Sequence, residues 1–414
     1  MSGIVLSAAV RQNLLSLQAT ASLLSTTQNR LATGNKVNSA LDNPTNFFTA
    51  QGLDNRASDI NNLLDSIGNG VQVLQAANTG LTSLQKLVDT AKSIANQVLQ
   101  APTGYSTKAS ATSTAPTGAG ALAVAGTAAD LTNAGTNSLN GKTFIFTPAT
   151  GSATTITISS TVAAGNVNSI DSFNAALTSA GIGLTASLAS DGSITLTSTN
   201  DNASQSLTTG TTAAANTVAI SGTDTATLVT PTGGSAGKPV ADANSQAVRN
   251  SLVNQYNDII TQITTTAQDS SFNGINLLNG DNLKLTFDET GKSTLNIQGV
   301  TFNAGGLGLG SLTVGTDFLD NSSANAALTK LSSASTVLRT EASALGSNLS
   351  VVQLRQDFNK NLIQVLQTGS SNLTLADANE EAANSQALST RQSIAVSALA
   401  LANQSQQSVL QLLR

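Results

Sequence analysis

Six apolar positions recur at intervals of seven in the first quarter of this sequence: Ile60, Ile67, Leu74, Leu81, Val88 and Ala95. A second row, Leu63, Gly70, Ala77, Leu84, Ala91 and Val98, follows three residues behind the first. Only an α-helix keeps two such rows on one side, so Ser58 to Leu99 predicts a continuous helix. A helix of about 42 residues is about 60 Å long, and it must lie against a partner of similar length. Gly68, Gly70 and Gly80 each weaken it by up to about 1 kcal/mol relative to Ala, so lateral packing has to hold it. Ala101-Pro102 stops it, and Asn46 to Arg56 ahead of it reads as a short helix or an irregular linker.

A helix that mirrors it lies in the last quarter. From Ala324 to Leu366 the rows are Leu331, Leu338, Leu345, Val352, Asn359, Leu366 and Ser335, Ala342, Leu349, Gln356, Ile363. The expected rod core is therefore Ile60, Ile67, Leu74, Leu81, Val88, Leu331, Leu338, Leu345, Val352 and Ile363. Gly369 is expected to break this second helix.

Both ends of the sequence have the same character. Val10, Leu17, Leu24 and Leu31 recur every seven residues between Ile4 and Ala32, with Leu14 and Ala21 four positions after the first two. Leu373 to Arg414 is amphipathic and free of Gly and Pro. Ends usually fray unless something ties them down. Two long sticky helices there point to a self-assembly surface, with Val10, Leu14, Leu17, Leu24, Leu31, Leu388, Ile394, Leu399, Leu401, Val409 and Leu412 as its expected residues. Gly34 supplies a left-handed stop to the first helix. Asn43-Pro44 caps the start of the next, and Thr374 with Asp377 approximates a capping box for the last.

Between the rod helices the composition changes. Residues 103–241 hold eight charged side chains and are dominated by Ser, Thr, Gly and Ala. Strand-like runs lie at Lys142–Thr147, Thr154–Ser160, Leu184–Ala189, Ser193–Thr199 and Thr217–Ser221, with Asp191-Gly192 as a hairpin turn. Ser169–Ala180 reads as a short helix capped by Ser169 or Asp171. This is a small inserted α+β domain with disordered or loosely ordered margins. After it come a helix at Asn244–Gln268, with Val248, Leu252, Tyr256, Ile259 or Ile260, and Ile263 on one face, and a hairpin of Leu283–Asp288 and Ser293–Val300. A flexible crossing follows at Gly305–Gly310. The fold class is mainly α with an inserted β-rich (α+β) domain.

Chemistry is scarce. The sequence has no Cys, His or Trp, and only 10% of its residues are charged. Thiolate chemistry, the commonest general base and the usual zinc ligands are therefore missing. No catalytic, cofactor-binding or metal-binding residue is assigned. Glu380 and Glu381 are adjacent, but neighbours on a helix diverge by about 100° and do not act as an acid–base pair. Gly305–Gly310 is no phosphate loop, since no Lys-Ser/Thr follows it. Asp377, Asp357 and Asp42 are candidates to meet Arg391, Arg355 or Arg30 of neighbouring subunits. A net charge of −5 without a basic cluster gives no nucleic-acid footprint. No run of eighteen apolar residues and no signal peptide is seen, so membrane insertion is not expected.

At the head, QNLLSLQATASLLSTTQNRLATGNKVNSALDNP and IGNGVQVLQAANTGLTSLQKLVDTAKSIANQ carry a resemblance. So do ASTVLRTEASALGSNLSVVQLRQDFNKNLIQVL and ADANEEAANSQALSTRQSIAVSALALANQSQQSVLQLL at the tail. Together with SFNGINLLNG, these resemble the bacterial flagellins, subunits of the flagellar filament. The resemblance implies an inner coiled-coil layer from residues 1–43 and 369–414. It implies rod segments at 44–101, 242–320 (a helix and the hairpin) and 321–368, and a variable, surface-exposed outer domain at 102–241. It also implies termini that order on polymerisation, export without a cleaved signal peptide, and motility as the purpose. The implied partners are further copies in a helical filament, the flagellar export apparatus, and cap and hook-associated proteins. The hook–filament junction protein is the alternative reading. The family's displayed metalloprotease needs His, which is missing here. Two departures stand out. The insertion precedes the Asn244–Gln268 helix instead of following the hairpin, and Thr90, Ser93 and Ile94 replace the Arg, Glu and Leu typical of flagellins recognised by the animal innate receptor. No receptor-binding role is carried over.

Overall fold

A computed structural model of the chain describes residues 8–113, 130–132, 139–161, 163–189, 193–210, 217–222 and 237–412. It divides into two compact units, one of residues 1–72, 283–297 and 348–414 and one of residues 73–282 and 298–347. Two long helices, α2 (Pro44–Gln100) and α5 (Asn321–Thr374), contribute residues to both. All ten expected rod-core residues are buried.

The first unit holds α1 (Ala8–Thr33), the beginning of α2, a hairpin of β11 (Leu283–Thr286) and β12 (Thr294–Ile297), the end of α5, and α6 (Ala378–Leu412). Ala57 and Ile60 of α2 pack on Ile363 and Leu366 of α5, with Leu53, Leu64 and Leu362 at the margin. The hairpin pairs Leu283 with Ile297 and Leu285 with Leu295 in antiparallel register. Leu285 seats against Gly70, where a Cβ would lie 2.3 Å from its Cδ2. The glycine that propensity counts against the helix is thus the place where the hairpin comes closest. Asn359, buried at a heptad position, donates through Nδ2 to the carbonyl of Phe287 at 2.9 Å. Arg56 reaches Glu289 at 2.7 Å.

Three boundaries differ from expectation, one through a tertiary contact and two through local caps. Asn46 to Arg56 is neither separate helix nor linker; it belongs to α2, whose first turn is capped by Asn43 Oδ1 accepting from Asn46 N–H. Helix α5 runs through Gly369 to Thr374, because its end is satisfied there: Thr374 O accepts from the N–H groups of Lys36 and Val37. Thr374 closes α5 and does not open α6. Asp377 alone caps α6, accepting from Asn379 and Glu380 N–H.

The second unit carries the insertion. Its entry and exit are joined by β1 (Tyr105–Thr107) and β10 (Val240–Ala241), which set Tyr105 opposite Ala241. A five-stranded mixed sheet has the order β5 (Asn166–Val167), β4 (Thr154–Ile158), β3 (Thr143–Pro148), β9 (Thr217–Gly222), β8 (Ser206–Thr209). A three-stranded sheet orders β2 (Ser110–Thr112), β7 (Ile194–Ser198) and β6 (Leu184–Leu188). Helix α3 (Ile170–Ser179) opens on a capping box between Ser169 and Ser172. Phe144 and Phe146 sit two apart on β3 and so share a face, where Phe173 meets them edge-on at 5.3 and 6.3 Å. The Asp191-Gly192 turn and most of the insertion's margins lie outside the described residues. β6 and β7 pair antiparallel on either side of that turn. The outer edge of β6 is closed by Asn174, whose side-chain amide both donates to Ala186 O and accepts from Ala186 N–H. An edge blocked in this way offers no template for a foreign strand.

Helix α4 (Ala243–Asp269) buries Leu252, Val253, Tyr256, Ile260 and Ile263, while Val248, expected inward, is exposed. The inward position beside it is Arg249, whose side chain finds enough acceptors to be buried completely. Residues 305–310 form a hydrogen-bonded turn that buries Leu307 and Leu309, a packed segment where a flexible crossing was expected. Burial pushes the Tyr256 hydroxyl up to about 12. The folded value exceeds the unfolded value of 10.0, so the neutral ring's contribution is intact below pH 10 and is lost as pH rises towards 12. Stability measured by denaturant titration is expected to fall by on the order of 2 kcal/mol across that window through this group. Tyr256→Phe should shrink the fall.

Candidate self-assembly surface

Helix α1 lies against α6. Arg30, near the end of α1, meets Glu381, near the start of α6, at 3.3 Å, so the two run antiparallel. On α1 the inward positions are Val10, Asn13, Leu17, Thr20, Leu24 and Thr27, alternating in steps of three and four. On α6 they are Glu381, Ser385, Leu388, Gln392, Ala395, Leu399 and Ala402. Each is a coiled-coil seam, but every second position on α1 is polar. The seam is therefore weak for its length, and Glu381 is buried in it beside Arg30.

The junction behind the seam is stitched. Residues 34–43 and 375–377 bridge through Asn35 and Leu375, and Ala376 N–H donates to Gly34 O at 2.9 Å. Gly34 adopts the expected left-handed conformation, φ 72°. Asp42 accepts from the N–H groups of Asn38 and Ser39, which hold its carboxyl below the usual carboxylate range. Leu41, beside it, is fully exposed.

The expected assembly residues fall into two sets. Val10, Leu17, Leu24, Leu388 and Leu399 lie in the seam between α1 and α6. Leu14, Leu31, Ile394 and Leu401 face outward, Leu401 at 66% exposure. The second seam row is thus Asn13, Thr20 and Thr27, and Leu14 turns away from it. Leu31 leaves the seam because α1 ends at Thr33 and Arg30 takes the contact with α6. Val409 and Leu412 lie in α6, with side chains outside the described residues. Leu15, Leu23 and Val396 are outward-facing residues that heptad counting passed over. At 3.6 residues per turn, Leu14 and Leu23 flank the seam about 90° to either side and Leu15 lies about 170° from it. Ile394 and Leu401 share the back of α6, about 140° from its seam.

Among the described residues, no group of three His, Cys, Asp or Glu could hold a metal ion. No described helix is long and apolar enough to cross a membrane. Glu380 is exposed at the start of α6, and Glu381 is turned into the seam.

The arrangement defines a class: a chain whose paired terminal helices keep large apolar side chains exposed outside their seam. Residues 5–137 match the sequence model of the bacterial flagellin N-terminal helical region, and residues 328–413 that of the bacterial flagellin C-terminal helical region. Flagellin FljM of Caulobacter vibrioides is 33% identical over 169 residues, 40% of this chain and 60% of that protein. Flagellin FljK of the same organism is 31% identical over 169 residues, with the same coverage of both chains. Flagellin A of Rhizobium meliloti is 39% identical over 93 residues, 22% of each chain. This chain spans about 60% of the length of the Caulobacter relatives it matches. It belongs to the bacterial flagellin family.

Proposed function

We propose that the chain is a structural subunit that self-assembles into the bacterial flagellar filament and serves motility. One observation carries the reading: α1 exposes Leu14 and Leu23 on its two flanks and Leu15 on its back, beyond its seam with α6. Large apolar side chains exposed on three faces of one helix mark an interaction surface, and one partner helix covers only the seam. Several neighbours are needed, and an open heterologous contact repeated from chain to chain supplies them. Residues 1–43 and 369–414 form the filament's inner layer, segments 44–101, 242–320 and 321–368 its rod, and 102–241 its outer surface. The polar second row of the seam fits termini that order fully only against neighbours. The role is structural and uses no cofactor. Its setting is extracellular, reached without a cleaved signal peptide, and its partners are the export apparatus, cap and hook-associated proteins.

Purified chain seeded with filament fragments is expected to lengthen them, followed by light scattering and negative-stain microscopy. Chains lacking Met1–Ala32 or Leu373–Arg414 should stay soluble, folded and unable to join. Normal filaments from either truncation, or no growth from the full chain, would overturn the reading.

A further inference from the structure

The inserted domain meets α5 at a place far in sequence from its own connectors. The connectors are slight. β1 and β10 set Tyr105 opposite Ala241 and Thr107 opposite Val240, Asp242 N–H donates to Gly104 O at 3.0 Å, and Gly104 N–H donates to Leu319 O at 3.0 Å. A two-stranded ladder so short is marginal by itself, and two chains side by side form an elbow that bends. The remote contact is the turn at residues 199–205. There Asn200 O accepts from Asn321 N–H at 3.2 Å, and Asp201 O accepts from Ser322 N–H at 3.1 Å. Asn321 and Ser322 open α5, so these are donors for which the helix itself has no acceptor. Ser204 Oγ donates to Asp320 Oδ2 at 2.6 Å. Asp320 precedes the helix, and its other carboxylate oxygen accepts from Ser323 N–H at 3.4 Å. One carboxylate therefore serves the helix and the inserted domain together.

We propose that residues 199–205 are a latch, which caps α5 and so holds the inserted domain in one direction on that helix. The turn is stiff. Thr199 N–H donates to Gly183 O, Asn202 N–H to Thr199 O and Gln205 N–H to Asn202 O, and Ala203 is fully buried. Electrostatics favours the closed state, because two carbonyl oxygens and a carboxylate sit at the positive end of the α5 dipole. The elbow holds residue 319 and the latch holds residues 320–322, from parts of the insertion remote in sequence. With the latch closed, the domain does not turn about the elbow. With it open, the domain swings and the first turn of α5 frays. The latch belongs to the single chain and needs no neighbour, so it stands apart from the filament reading.

The absence of cysteine makes the test direct. Thr185→Cys on β6 and Lys330→Cys on α5, both at exposed positions, take a pair of nitroxide labels in the full chain. Pulsed electron spin resonance then reads the spread of distances between the domain and the helix. The labelled chain is expected to give one narrow peak. Ser204→Asp sets a second carboxylate against Asp320, and like charges at that distance repel. It should broaden the peak and quicken amide exchange at 321 and 322 about ten-fold. Exchanging the pair, Ser204→Asp with Asp320→Ser, keeps one carboxylate, one hydroxyl and a capping residue before α5. It should restore both readings, which a general loss of packing at 204 would not. Where circular dichroism shows that Ser204→Asp has lost β structure, Ser204→Ala decides by the same readings, since it removes only the hydroxyl. A narrow peak with unchanged exchange in the folded Ser204 variant would overturn the latch. So would a broad distribution in the chain that carries only the labels.

Discussion

Arg249→Met is expected to unfold the ends of α2 and α5 around it, at a cost of about 3–5 kcal/mol to the unit that contains them. The guanidinium is wholly buried. Its Nε donates to Pro102 O at 2.6 Å, Nη1 to Phe318 O at 2.6 Å and Asp320 O at 3.3 Å, and Nη2 to Val98 O, Ala101 O and Asn321 Oδ1. Val98 and Ala101 close α2, and Asn321 opens α5, so a side chain from α4 satisfies carbonyls that helix ends leave orphaned. Burial lowers the pKa of the group, and Asp320 acts against that. Methionine keeps the stem's volume and removes every donor, stranding several buried carbonyls at about 1–3 kcal/mol each before relaxation. Lysine, with three donors on a point charge, should restore less than half of the loss, because no ammonium spans the fan a guanidinium fills. Denaturant unfolding measures the cost, and amide exchange should quicken first at the C-terminal end of α2. An exchange pattern unchanged from the parent would refute the clamp.

The same residue shows why the sequence was only partly readable. Heptad counting finds the residues that α2 and α5 bury, because period and burial are one phenomenon in a long helix. Arg249 has no such signal: a cation on a helix reads as surface until the acceptors from two other segments, 98–102 and 318–321, are in place. The glycines of α2 mislead in the opposite way. Gly70 and Gly80 look like weaknesses, yet a Cβ at Gly80 would lie 2.6 Å from Leu278 and 2.2 Å from Ser270. Their value is set by what packs on them, while Gly68, with nothing within 4 Å, stays unexplained. Gly369 and Thr374 were misread for a related reason, since the helix end is decided by donors from residues 36 and 37, remote in sequence.

The assembly surface was legible as composition and illegible as geometry. Counting sevens put Leu31 in the seam and left Leu15 and Leu23 out. An interior seam and an exterior one obey the same period, so periodicity alone cannot say which stripe the chain keeps for itself. Exposure separates them. The stripes that meet inside the chain are Leu17 with Leu24 and Leu388 with Leu399, and those left over face outward.

That separation gives the sharpest test of the proposed function. A chain carrying Leu15→Asn, Leu23→Asn, Ile394→Asn and Leu401→Asn should remain a folded monomer, since each side chain is more than half exposed before assembly. Fully burying one such side chain is worth about 1.5–3 kcal/mol, so losing four should raise the concentration needed for seeded growth at least about 100-fold. Leu24→Ala with Leu388→Ala acts on the other stripe. It should loosen α1 on α6 within the free chain, seen as faster amide exchange in both, and weaken assembly only through that loss of order. The two variants thus fail differently: one keeps the terminal pair and loses its neighbours, and the other loses the pair first. Filaments of normal length from the outward-face variant would show that the exposed faces of α1 and α6 do not hold subunits together. The exposed leucines of α1 would then need another explanation.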